Sequence, residues 1–363
     1  MTRRITSPVK HSKQVGPSAR PSESAFVPPY PPSWFDRVMD RIDRLPGPYA
    51  LWYGVFALVV FALMTLALAV SGMPAFGGDL GQRAYNAFMT AFPAFLAHSL
   101  NRTAGRAFAA FEPALRTPAE APNLRYRLTT APPWPSLAFS LGAAAYAVLL
   151  IFGAPEMGLF LESIFGPRWA VLFFGALSYF VNSHFAYRVI FQLRQVSRIY
   201  RGHALVRLGD LGPHFALSVL TSRAAIAAIF VVTGYAIGSA QIGSVTLSLI
   251  ILIPNLLLAG AAFVLPLLGA HQLLEAERDR VRREATLRME AALAELHLIV
   301  ERRTYGKAPA VKDAVTALDI ELNRLAHIPT WPWNPGTPRG VLAAVFLPVI
   351  IWLIQFGLQR LLG

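Results

Sequence analysis

The side chains able to do chemistry are few, and they sit inside apolar stretches. His98, Asn182, Ser183, His184, Arg223 and Asn255 interrupt hydrophobic runs, and Gln355 stands in the last of these. A polar group in hydrocarbon needs a partner or a water-filled path, which makes each a candidate for function. His98 and His184 are of the type that shuttles protons or binds a metal. Neither has a companion at ligand spacing, and a histidine near a helix end ordinarily bonds a neighbouring carbonyl. No Asp or Glu falls within an apolar run, which speaks against a proton- or sodium-coupled pump. Ile253-Pro254-Asn255 has the pattern of a discontinuous helix, with Asn255 able to satisfy the carbonyl that Pro254 frees. In the loop RGHALVRLGDLGPHFALSVLTSR (201–223), Asp210 is placed to pair with Arg207 or Arg223. Hydrolase, zincin, Walker and kinase signatures are absent from the sequence, as is cysteine. No catalytic residue, cofactor or metal site is therefore assigned, and an enzyme is not the reading.

The elements that carry these residues follow from composition. Of 363 residues, 55% are hydrophobic and 15% charged, with a mean hydropathy of +0.46. A soluble chain carries about 25% charged residues. The expectation is an all-α, polytopic membrane protein with seven transmembrane helices. The segments are Tyr49–Val70, Ala84–Leu100, Ser136–Ala154, Trp169–Ile190, Phe215–Ile237, Val245–Leu268 and Gly340–Leu358. The second is the weakest, with Pro93 and His98 inside it. An N-in, C-out path puts 30 of the 33 basic residues on the cytoplasmic side and only Arg83, Arg168 and Arg360 outside. The same topology explains a net charge of +13 without a nucleic-acid partner. A cell inner (plasma) membrane location follows.

Residues 1–33 are basic and proline-rich and read as a disordered tail. Residues 34–45 read as an interfacial amphipathic helix. Its Trp34, Phe35, Val38, Met39 and Ile42 stand opposite Asp36, Arg37, Asp40, Arg41 and Arg44. Residues 46–270 carry spans one to six, and 339–363 carry the seventh. Between them, 271–338 read as a cytoplasmic helical hairpin and a Pro/Trp elbow. One stripe is Leu274, Val281, Ala285, Met289, Ala292, Leu296 and Ile299; the other is Val311, Val315, Leu318, Leu322 and Leu325. The second has coiled-coil spacing, and TYGKAPA (304–310) makes the turn. In HIPTWPWNPGTPRG (327–340), four prolines forbid helix, while Trp331 and Trp333 suit a return to the headgroup layer.

Three stretches carry a resemblance: LRYRLTTAPPWPS (124–136), GDLGPHFALSVLTSRAAIA (209–227), and PLLGAHQLLEAE (266–277) with the elbow. Together they resemble a family of uncharacterised multi-pass membrane proteins of environmental bacteria, which implies no activity. The architecture is more distantly similar to the insect odorant- and gustatory-receptor type of seven-transmembrane ion channel. In those channels the cytoplasmic helices form a tetrameric anchor and the last span lines the pore. The gustatory C-terminal signature is Thr-Tyr, five apolar residues, then Gln-Phe. Here Ile350–Ile354 precede Gln355-Phe356, but Pro348-Val349 replace Thr-Tyr.

The resemblance implies a channel-like or sensory oligomer in the lipid bilayer, a tetramer gated through its hairpin. Gln355 and Phe356 are then the pore candidates and Trp331 and Trp333 the gating ones. A secondary transporter or lipid-handling protein is the alternative, as is a scaffold recruiting a cytoplasmic partner through 271–326.

Overall fold

A computed structural model describes residues 26–73, 80–153, 161–162, 165–240, 245–333, 336, 338–346, 350 and 357, and at 236–259 only the backbone. Among these residues the fold is all-helical; one isolated bridge, Leu115 to Ala204, is the sole β pairing. The helices are α1 (Trp34–Asp43), α2 (Tyr49–Val70), α3 (Leu80–Phe111), α4 (Ala121–Thr129), α5 (Pro133–Gly153), α6 (Arg168–Gly202), α7 (Gly212–Ala240), α8 (Val245–Glu301) and α9 (Ala308–Ala326). Helical backbone resumes at 338–346.

Four segments among the described residues are long and apolar enough to cross a membrane: Tyr49–Val70, Pro118–Gly153, Arg168–Gly202 and Gly212–Tyr235. They belong to the first, third, fourth and fifth of the seven expected spans. The sixth and seventh expected spans lie partly outside the fully described residues; the second is absent for a reason that lies in its position. It falls within α3, which packs against α2, α4, α6 and α7 at once. Ala87, Ala91, Ala94, Ala97, Ala104 and Ala107 are buried along it, and small side chains let neighbouring backbones close in. A helix surrounded by protein does not need a lipid-like composition. The weakest hydrophobic stretch is thus the central helix of the bundle.

The end of α2 meets the start of α6 where Gly166 adopts φ +89, and a Cβ there would stand 3.2 Å from the Leu68 side chain. Only glycine combines that backbone with that contact. Helix α8 runs unbroken for 57 residues through Pro254 and Pro266, so Pro254 does not interrupt the helix that continues from the sixth expected span. Its C-terminal half pairs with α9. Leu274, Ala285, Ile299, Val311 and Leu325 are buried, while the intervening stripe positions are half-buried. Two helices with apolar stripes and a short turn bury them against each other. The turn itself leaves α8 through Arg303 at φ 52 and a 3-10 turn at Tyr305–Lys307.

Within the described part of the N-terminal stretch expected to be disordered, Tyr30 and Ser33 are held against the bundle while residues 26–29 stay exposed. Tyr30 Oη donates to the Thr130 carbonyl at 2.9 Å, and Tyr126 Oη donates to the Tyr30 carbonyl at 2.6 Å. Burial pushes the Tyr30 phenol up to about 12. Two aromatic side chains and two hydrogen bonds offset the chain entropy that composition alone leaves unbalanced.

Candidate functional site

The polar side chains of the bundle meet around α1. A capping box starts this helix: Asp36 N–H donates to Ser33 Oγ, and Asp36 Oδ2 accepts from Ser33 N at 3.1 Å and from Ser33 Oγ at 2.7 Å. The same oxygen accepts from the Ala131 amide at 3.0 Å, just past the end of α4. Asp36 Oδ1 then pairs with Arg188 Nη1 of α6. Arg188 Nη2 donates to Asn101 Oδ1 of α3 at 2.5 Å and to the Thr129 carbonyl of α4. The arginine side chain is 1% exposed and the aspartate 7%. One ion pair thus joins α1, α3, α4 and α6. Asp36, expected on the solvated face of this helix, is instead buried against protein. Phe35, Asp36 and Met39 are all buried, and the helix is docked on protein.

Two turns along α1, Asp43 makes a second attachment. His98 Nε2 lies 3.2 Å from Asp43 Oδ2, and His98 Nδ1 lies 3.2 Å from Tyr53 Oη. A carboxylate only accepts, so Nε2 carries the proton and Nδ1 accepts the tyrosine O–H. The histidine therefore bonds a carboxylate and a hydroxyl, not the neighbouring carbonyl expected for it. Arg102 lies 4.0 Å from the exposed Asp43 carboxylate and over the Tyr49 ring at 5.0 Å. The Tyr53–His98–Asp43 chain runs from a buried tyrosine to an exposed carboxylate.

On α6, His184, Arg188 and Gln192 fall at four-residue steps and face inward together. Gln192 Nε2 donates to the Leu128 carbonyl at 3.4 Å. His184 sits against Trp34 and Phe35, with ring centroids 4.9 and 4.6 Å away. Neither of its nitrogens has a protein hydrogen-bond partner among the described residues. His98 and His184 are thus both gathered around α1. Asn182 lies in a separate seam between α6 and α7, donating to the Ser178 carbonyl at 2.7 Å and to Tyr235 Oη. Arg223 donates to Thr103 Oγ1 at 3.0 Å. It does not pair with Asp210, whose Oδ1 accepts from the Gly212 amide at 3.2 Å. The short local turn is geometrically cheaper than a reach across helices.

Trp331 and Trp333 are brought together at the base of the hairpin. Rings stack in series from His271 to Trp331 (4.2 Å), Trp331 to Trp333 (4.4 Å) and Trp333 to Phe263 (5.3 Å). His271 Nδ1 also lies 3.2 Å from the Thr330 carbonyl, within donating reach. The elbow is clamped onto α8 over two of its turns. Gln355 and Phe356 lie outside the described residues, as does the side chain of Asn255.

No group of three or more His, Cys, Asp or Glu able to hold a metal occurs among the described residues. No family model matches this chain, and no curated protein or solved structure matches it. Function therefore has to be argued from the side chains. Sequence reasoning missed Asp36, Asp43, Tyr53, Asn101 and Arg188. The one signal for Asp36 was its position three residues after Ser33, the spacing of a capping box.

Proposed function

We propose that the protein is a channel-like, sensory membrane oligomer in which the helical hairpin is coupled to the C-terminal apolar segment. The observation that carries this reading is the stacked series His271–Trp331–Trp333–Phe263. Any displacement of α9 relative to α8 must pass through these rings before it reaches residue 340. Aromatic pairs of this geometry are worth about 0.5–1.5 kcal/mol each beyond burial, enough to favour concerted movement over slippage. Four apolar helices support placement in a membrane. The 30-to-3 division of basic residues supports seven spans with the N-terminus inside and the C-terminus outside. The hairpin is then cytoplasmic and the membrane is the cell inner membrane. Leu287, Leu298, Val300 and Ile320 are exposed on the hairpin away from the apolar segments, which supports association with further copies.

The test is reconstitution of the full chain in liposomes, with oligomer mass and cation flux measured on the same preparation. A tetramer whose flux changes on Trp331→Ala is the expected result. A monomer that passes no ions across a broad panel of small molecules overturns the proposal.

A further inference from the structure

Outside the polar core, a cleft of about 320 Å³ lies between α8 and the loop that follows α6. One wall is held by backbone pairing. Arg116 N–H donates to the His203 carbonyl and Leu205 N–H to the Ala114 carbonyl, both at 2.8 Å, which fixes Arg116 and Leu205 side by side. The other wall is α8, with Leu273, Ala276, Glu277, Arg280 and Arg283. The two walls are held close, because Arg201 Cγ would stand 3.3 Å from a Cβ on Gly269.

The charges are unequal. Arg280 is neutralised within its own helix, by Glu277 at 2.6 Å and Glu284 at 2.7 Å. Arg116 and Arg283 have no acidic partner among the described residues, and both are exposed. The cleft therefore offers two free guanidinium groups facing an apolar floor of Leu205, Val206, Leu273 and Ala276. Guanidinium forks match phosphate oxygens in pairs. Leu273 is five residues beyond the last apolar segment of α8, roughly 7.5 Å at the helical rise, which is the depth of a headgroup layer.

We propose that this cleft binds a phosphate-bearing amphiphile, an anionic phospholipid of the bilayer. Arg116 and Arg283 hold its phosphate, while Leu205 and Leu273 receive its glycerol and first methylenes. The proposal rests on the bilayer placement of α8 given above, but binding is read separately from conduction.

The experiment is native mass spectrometry of the full chain in detergent, with phosphatidic acid, phosphatidylcholine or inorganic pyrophosphate added. Phosphatidic acid should bind, and phosphatidylcholine should bind at least roughly tenfold more weakly. Arg116→Gln and Arg283→Gln should each weaken phosphatidic acid by roughly tenfold, the worth of one charge-assisted contact, without changing the melting temperature. Leu205→Ser should weaken it while leaving the arginines in place. Unchanged binding in both arginine variants, or equal binding of phosphatidylcholine, overturns the site. Pyrophosphate binding as tightly as phosphatidic acid assigns the arginines to a soluble phosphate and overturns the lipid.

Discussion

Asp36 and Arg188 are 152 positions apart in the chain and share one buried ion pair that ties the first helix to the sixth. Every oxygen of the carboxylate is engaged, and the guanidinium reaches two further helices. Breaking such a pair from one side strands a charge, at a cost of about 3–5 kcal/mol. Arg188→Met and Asp36→Asn should each lower thermal stability in detergent by that order. The double variant should cost less than the sum, and a double-mutant cycle that is additive would exclude a direct coupling.

His184 gives a prediction of opposite sign. Its nitrogens are buried without protein partners among the described residues, and its ring packs on Trp34 and Phe35. Phenylalanine keeps the ring contacts and removes the unpaired polar atoms, a desolvation cost of about 1–3 kcal/mol. His184→Phe should therefore leave the melting temperature unchanged or raise it. A clear fall would reveal a polar partner for the imidazole.

Arg303 leaves α8 in the left-handed region, where a Cβ costs roughly 1–2 kcal/mol relative to glycine. The Thr304 amide returns to the Ile299 carbonyl at 3.0 Å, the kind of closure that glycine usually serves. Arg303→Gly should stabilise the hairpin by about 1 kcal/mol, read as slower amide exchange at 296–315. Faster exchange would mean that the arginine side chain itself supports the turn.

The Glu277 carboxyl is held below the ordinary range, chiefly by its hydrogen bonds to Arg280. A lowered folded value means the unfolded chain takes up the proton first on acidification. The stabilisation is present above about pH 4.3 and is lost as pH falls through the lowered value. Glu277→Gln should flatten that part of the acid titration of α8 helicity by circular dichroism. Because the pair is partly exposed, added salt should shrink the difference.

Trp331 stands between His271 and Trp333 in the stack. Trp331→Ala removes two ring contacts, worth about 1 kcal/mol or more. Amide exchange at 327–333 should quicken by roughly fivefold while exchange within α6 stays unchanged. Uniform acceleration across the bundle would show that the elbow is part of the core and not a local clamp.

The helices themselves were legible in the residue order. Apolar runs at Tyr49–Val70 and Trp169–Ile190, the stripe from Leu274 to Ile299, and the breakers at 304–310 locate elements because helix formation depends on neighbours within about four residues. Trp331, Trp333, His98 and His184 were legible too, since stranded polar and aromatic residues declare themselves by context.

What only the tertiary structure decided was which of them meet. Asp36 read as solvated because a 3.6-residue period reports a helix face but not what covers it. The periodicity of Trp34–Asp43 is satisfied equally by a membrane surface and by the docked position beside Asn101 and Arg188. The same limit hid the central role of α3, because hydropathy measures affinity for lipid and α3 touches protein on most sides. Local order in a chain is set by local chemistry. The pairing of charges more than a hundred residues apart is set by packing, since burial makes each unpaired charge too costly to leave alone.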